Sequence, residues 1–120
     1  MSEEKKPIAL VVEDDENLAN AFGYALDAFD VSIFYDGQKA IDWLDAGNIP
    51  GVVVLDLNLP NVSGEEILAY IRAKDETKNA RVFLATANHR LAESLRDEAD
   101  LVLIKPIGFK QLQQLANRFK

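Results

Sequence analysis

Three carboxylates, a hydroxyl and an ammonium each stand directly after a short apolar run. Glu13 and Asp14 follow residues 8–12, Asp56 follows 52–55, Thr86 follows 81–85, and Lys105, with Pro106 behind it, follows 101–104. Gathered into one pocket, the three acids would repel one another, and partial burial would raise that cost, so the pocket needs raised pKa values or cations. Lys105 supplies one cation. All-oxygen ligands, with no cysteine in the chain and no second histidine, suit a hard divalent ion such as Mg²⁺ as the other. An ionised aspartate beside such an ion can attack phosphorus and form an acyl phosphate. Lys105 and the ion would then neutralise the phosphoryl oxygens while the Thr86 hydroxyl offers a hydrogen bond. No general base is required, because carboxylate is already the reactive form.

The elements that must position these groups can be read from hydrophobic spacing. Five apolar, β-branched runs, at 8–12, 31–35, 52–55, 81–85 and 101–104, read as strands. Between them lie helical patterns. Leu18, Phe22 and Leu26 recur at i, i+4, i+8; Ile67, Leu68 and Ile71 share a face; Phe109, Leu112, Ala116 and Phe119 form a stripe read as mostly core. Weaker helices are expected near 38–46 and 89–97. Near-continuous apolar strands alternating with helices predict an α/β fold, a doubly wound five-stranded parallel sheet with five helices. A common strand order for five such units is 2-1-3-4-5, which sets strands 1 and 3 side by side at the switch point where ligands bind. All strands of a parallel sheet end on one edge, so the acids, Thr86 and Lys105 meet there.

The chain has 120 residues, 48% of them hydrophobic, which suits one core and one domain over 8–120. Residues 1–7, charged and followed by only a short apolar run, are expected to form a flexible N-terminal tail, with no signal peptide or membrane insertion. With 13 basic against 20 acidic side chains the net charge is −7, which argues against direct nucleic-acid binding. The absence of cysteine fits a cytoplasmic location.

The segments Val11-Val12-Glu13-Asp14-Asp15, Val54-Leu55-Asp56-Leu57-Asn58-Leu59-Pro60, Ala85-Thr86-Ala87 and Ile104-Lys105-Pro106 resemble the four signature segments of the response regulator receiver family. The resemblance runs from about Ile8 to Phe119 and implies a flavodoxin-like fold. It implies Asp56 as phosphoacceptor, with Thr86 and Lys105 as the partner hydroxyl and lysine. It implies Asp14 and Asp56 as Mg²⁺ ligands, Glu13 assisting through water, the Asn58 backbone carbonyl as a further ligand, and a cis Lys105–Pro106 bond. The phosphodonor would be a histidine kinase or a histidine phosphotransfer protein. The output would be an unnamed downstream protein, met through the face of the fourth helix, fifth strand and fifth helix. The chain would be a signalling phosphoacceptor, limited to self-catalysed phosphotransfer and slow autodephosphorylation.

Two departures from the pattern fall on that face. Relatives often carry an aromatic three residues before the lysine, where this chain has Val102. Thr86 and Lys105 are only 105 − 86 = 19 positions apart, and Glu98-Ala99-Asp100 stands where a glycine is familiar, so the fourth helix is expected to be about one turn short or irregular. These departures keep open a phosphorylation-independent docking module with the same fold. A Mg²⁺-dependent phosphohydrolase of the haloacid-dehalogenase kind fits less well, since Asn58 stands where a second aspartate belongs. Outside the pocket, Asp15 reads as a helix cap, Asp36 as a turn or cap residue, Pro60 and Gly64 as shapers of the loop after Asp56, His89 as a solvated residue opening the fourth helix, and Trp43 as packing at the edge of the second.

Overall fold

The computed structural model describes residues 6–120. Of the seven-residue tail expected from sequence, residues 1–5 lie outside the described residues. Pro7 is tied to the body, its carbonyl accepting from the Asp30 backbone N–H at 2.8 Å.

Five strands and five helices alternate: β1 (Ile8–Val12), α1 (Glu16–Ala25), β2 (Asp30–Phe34), α2 (Gly37–Asp45), β3 (Val52–Asp56), α3 (Gly64–Ala73), β4 (Arg81–Thr86), α4 (His89–Ser94), β5 (Leu101–Ile104) and α5 (Phe109–Asn117). The strands form one parallel sheet in the order β2-β1-β3-β4-β5, as the spacing predicts. Among the described residues no helix is long and apolar enough to cross a membrane.

The pleat divides each strand between two cores. Leu10, Val12, Val53, Leu55, Val82 and Leu84 face α2 and α3, where they meet Ala40, Leu44, Ile67 and Ile71. Their neighbours Ala9, Val11, Val52, Val54 and Phe83 face α1 and α5, meeting Phe22, Leu26, Leu112 and Ala116. Every one of these side chains is buried, and at about 1.5–3 kcal/mol for each large aliphatic or aromatic group this burial dominates the favourable side of folding. Two-sided coverage explains why the central strands read as unbroken apolar runs rather than as alternating ones.

Capping residues set the helix starts. Asp15 accepts from the Leu18 N–H, Asp36 from Gln38 and Lys39, and Ser63 from Glu66, as N-caps do. Asp15 is thus the cap expected from sequence, and of the two roles open to Asp36, turn or cap, it takes the cap. Trp43 packs against the α2–α3 core, 6.0 Å from the Phe34 ring.

Two elements differ from the hydrophobic spacing, the first of them in the direction that the short Thr86–Lys105 separation predicts. α4 has six residues and ends at Ser94, with Leu95–Asp100 in turns and bends, shorter than the helix over 89–97 that the spacing suggested. It is capped by Asn88, whose Oδ1 accepts from the Arg90 and Leu91 N–H groups. In the α5 stripe Leu112 and Ala116 are buried, but Phe109 is 49% exposed.

The start of β5 is held by a polar clamp. Asp100 accepts from the Val82 backbone N–H at 2.8 Å, from Arg72 at 3.1 Å and from Arg81 at 3.2 Å. Arg72 also donates to the carbonyls of Lys78, Ala80 and Glu98. Burial works against the Asp100 charge, but these donors outweigh it and hold its carboxyl below the ordinary carboxylate value. A carboxylate whose pKa is depressed by folding stabilises above its unfolded pKa and ceases to as pH falls through its folded one. Asp100→Asn is therefore expected to cost about 1–3 kcal/mol at neutral pH. The gap to wild type should close below about pH 4, a trend that chemical denaturation at several pH values would reveal.

Candidate functional site

Period-two alternation decides which side chains share the carboxyl edge. Asp56 follows Val52 and Val54 on the α1–α5 side of the sheet, and Glu13 follows Ala9 and Val11 on the same side. Lys105 continues the pleat of Leu101 and Leu103, also on that side. Between β5 and β3 lies β4, where Ala85 pairs with Asp56 on one flank and Leu103 on the other. A methyl group at this position leaves the long Lys105 stem room to cross β4.

The ammonium of Lys105 donates to Glu13 Oε1 at 2.7 Å and to Asp56 Oδ1 at 3.3 Å. Glu13 and Asp56 are almost wholly buried, whereas Asp14 is exposed at the mouth. One carboxylate oxygen from each of Glu13, Asp14 and Asp56 lies within 4.8 Å of the others. This trio could hold a metal ion.

The electrostatics are those of an acid-rich hollow with one cation. Burial pushes the Glu13 carboxyl up to about 7, and the Asp56 charge adds to this, against the lowering effect of the Lys105 and Asp15 hydrogen bonds. Burial disfavours the Lys105 charge, but the Glu13 hydrogen bond and the charges of Asp56 and Glu13 outweigh it and raise the ammonium above its ordinary value. Lys105 is thus a fixed positive charge, and Glu13 is poised between forms near neutrality.

The loop after Asp56 is bent onto the site. Asn58 N–H donates to Asp56 Oδ1 at 3.2 Å, and Asn61 takes a left-handed conformation with φ 66°, which asparagine tolerates better than most side chains. The turn delivers Ser63 as the α3 cap and presses Gly64 against the Asp56 backbone, where an alanine Cβ would meet the Asp56 carbonyl oxygen and stand 2.7 Å from Leu57 Cα.

Thr86 is fully buried at the end of β4, one residue past the partner of Asp56. It lies on the other pleat, in line with Val82 and Leu84. Its Oγ1 accepts from the Asn88 backbone N–H at 3.0 Å, which leaves the hydroxyl proton free to donate. Among the described residues no hydrogen bond joins Thr86 to the acidic trio. The Lys105–Pro106 bond is cis. His89 is exposed at the first position of α4. The arrangement brings together four groups singled out from sequence, Glu13, Asp14, Asp56 and Lys105, with Thr86 at the neighbouring strand end.

Two contributors were not found in the sequence: the Arg72–Asp100 clamp that fixes the start of the strand leading to Lys105, and Asn88, which links Thr86 to α4. The replacement of the familiar glycine by Glu98-Ala99-Asp100 marked the first position without disclosing its partners. Asn88 carried the ordinary signal of an N-cap residue before a helix.

A family model described as the response regulator receiver domain matches residues 9–117. Among curated proteins, the chain is 35% identical over 107 residues to the transcriptional regulatory protein TrcR of Mycobacterium tuberculosis, a match that covers 86% of this chain and 41% of that one. It therefore spans less than half the length of that relative. Among solved structures, the beryllofluoride-activated receiver domain of DrrB from Thermotoga maritima superposes with a TM-score of 0.82 at 28% identity, covering 93% of this chain and 95% of that one. The chemotaxis response regulator CheY4 of Vibrio cholerae superposes at 0.85 with 19% identity, over 97% and 100% of the two chains, and speaks for the fold alone.

Proposed function

Because the chain belongs to the response regulator receiver domain family, we propose that Asp56 is the phosphoacceptor of a two-component switch, receiving a phosphoryl group from a histidine kinase or histidine phosphotransfer protein. The observation that carries this reading is the convergence of Lys105 on Asp56 and Glu13, beside the exposed Asp14, at the carboxyl edge of β1 and β3.

The acidic trio fits Mg²⁺ by its chemistry: hard oxygen donors only, two of them buried and one at the mouth, with room for water on the exposed side. Asp14 and Asp56, with the Asn58 carbonyl, would hold the ion, and Glu13 would assist through water. When bound, Mg²⁺ supplies positive charge against the incoming phosphoryl oxygens. The protein's own groups do the rest. The Asp56 carboxylate attacks phosphorus and the bond from phosphorus to the donor nitrogen breaks, with no proton to remove from Asp56. The Lys105 ammonium faces the charge gathered on the equatorial oxygens, and Glu13 keeps that ammonium in place. The free Thr86 proton offers one further hydrogen bond. Attachment then shifts the balance between two conformations and so alters affinity for a downstream partner in the cytoplasm.

Incubation with Mg²⁺ and acetyl phosphate, followed by intact-mass measurement, should show one added phosphoryl group on wild type and none on Asp56→Asn. An unmodified wild type, with a phosphoramidate donor as well, would refute the proposal. If the adduct forms but partner binding is the same for wild type, Asp56→Asn and the adduct, the domain is a phosphorylation-independent docking module.

The raised Glu13 pKa gives a second expectation. An acid whose pKa rises from 4.5 in the unfolded chain to about 7 in the folded one stabilises fully below the lower value. That contribution is lost as pH climbs through the higher value. A cation that binds the ionised trio offsets the loss, so saturating Mg²⁺ should raise the unfolding midpoint more at about pH 8 than at about pH 6. Equal stabilisation at both would remove Glu13 from the cation site.

A further inference from the structure

The early end of α4 opens a groove of about 480 Å³ between α3 and the turns that lead to β5. Its floor is apolar, made by Leu68 and Ala69 of α3 and by Leu95, while Glu65, Asp97 and Glu98 stand around it as exposed acids. Among the described residues none of these three carboxylates has an ion-pair partner. Arg72 is the one cation that lines the groove, and its guanidinium is already engaged by Asp100 and the carbonyls of Lys78, Ala80 and Glu98.

We propose that this groove is a docking site for a basic amphipathic helical segment of a partner protein, an apolar side chain entering between Leu68 and Leu95 while lysines or arginines meet Glu65, Asp97 and Glu98. A volume in the range of ordinary ligand sites admits such an anchor, and insertion of the apolar face of a helix is a common mode of recognition. Charge complementarity selects the occupant. The rim has one sign and is uncompensated, so an acidic or neutral segment would leave three carboxylates facing an unpaired surface. The larger groove of about 810 Å³ between α1 and β2 carries no such instruction, because Lys6, Asp27 and Asp30 mix both signs there and Lys6 already donates to the Asp27 carbonyl. The docking site does not depend on phosphoryl transfer. Its walls are nevertheless tied to the chemistry: α3 begins at Gly64 against Asp56, and the turns follow α4, whose cap residue Asn88 donates its backbone N–H to Thr86.

The test is a titration of the ¹⁵N-labelled protein with a short synthetic amphipathic helix of leucines and lysines, and with its glutamate-for-lysine counterpart. The lysine peptide should bind saturably, with amide shifts centred on Leu68, Ala69, Leu95, Asp97 and Glu98, and the glutamate peptide should not. The double variant Asp97→Lys, Glu98→Lys should weaken binding about tenfold or more, each factor of ten being about 1.4 kcal/mol. Ala69→Arg should block the floor without touching Asp97 or Glu98. All of these positions except Leu68 and Leu95 are exposed, and an unchanged unfolding midpoint shows that the variants fold. Shifts scattered over the acidic surface or centred on the α1–β2 groove would overturn the proposal. So would equal binding by the variants, equal binding of the glutamate peptide, or no saturable binding of the lysine peptide.

Discussion

Gly64→Ala is expected to destabilise the domain by about 1–3 kcal/mol, toward the upper end of the cost of overpacking, and to slow phosphoryl acceptance at Asp56. The three atoms nearest the added methyl would all be backbone: the Asp56 carbonyl oxygen, its carbon at 3.1 Å, and Leu57 Cα at 2.7 Å. No flexible side chain can swing away. Relief requires the first turn of α3 to retreat, yet Ile67, Leu68 and Ile71 anchor that helix in the core. Gly51→Ala is the control, because a methyl there would have only the Ile8 carbonyl oxygen near it, at 3.9 Å, and the cost should stay within about 0.5 kcal/mol. Denaturant midpoints for the two variants decide the matter. Equal stability would mean that α3 does not press on the acceptor.

Lys105→Met is expected to reduce phosphoryl acceptance by about 100-fold or more, the usual result of removing one preorganised positive donor from a transition state. The methionine stem preserves most of the packing while the charge disappears. Loss of stability should be smaller than the about 3–5 kcal/mol of breaking a fully buried ion pair. Glu13, already raised to about 7 with the lysine beside it, can answer the loss by taking a proton. For the same reason the deficit should shrink as pH falls. Divalent cation binding should tighten above neutral pH, because ammonium and metal compete for Glu13 and Asp56. Acetyl phosphate kinetics and a Mg²⁺ titration would measure both effects; unchanged acceptance would assign Lys105 a structural role alone.

The sequence disclosed the fold where burial is simple. Residues 52–55 and 82–85 are apolar on both pleats because helices cover both faces, and such strands are hard to mistake once helices separate them. Strand ends were legible to within a residue; Asp56 and Thr86 prove to be the last members of β3 and β4 rather than the residues after them. The pocket was legible for a topological reason: parallel strands in this order must bring the residues at the carboxyl ends of β1, β3 and β5 to one edge.

What escaped reading depends on contacts distant in the chain. Arg72 and Asp100 are 28 positions apart, and neither carries a local sign of the other. Glu13 was placed in the pocket, but its tie to Lys105, 92 positions away, could not be distinguished from a role toward a cation. The length of α4 was anticipated from the short spacing between Thr86 and Lys105, yet the groove left by its early end becomes visible only when α3 is seen beside it. Phe109 matched the core stripe of α5 by spacing, but it is the first residue of that helix and remains half exposed.

The central claim, that the acids gathered by β1 and β3 make Asp56 a phosphate acceptor, is tested most directly by locating the acyl phosphate itself. Borohydride reduces an aspartyl phosphate to homoserine, so peptide mass mapping after acetyl phosphate, Mg²⁺ and borohydride reads the position. Homoserine at Asp56, absent when Mg²⁺ is chelated, is the expected result. Homoserine at Asp14 or at an exposed acid instead, or a yield indifferent to chelation, would contradict the account.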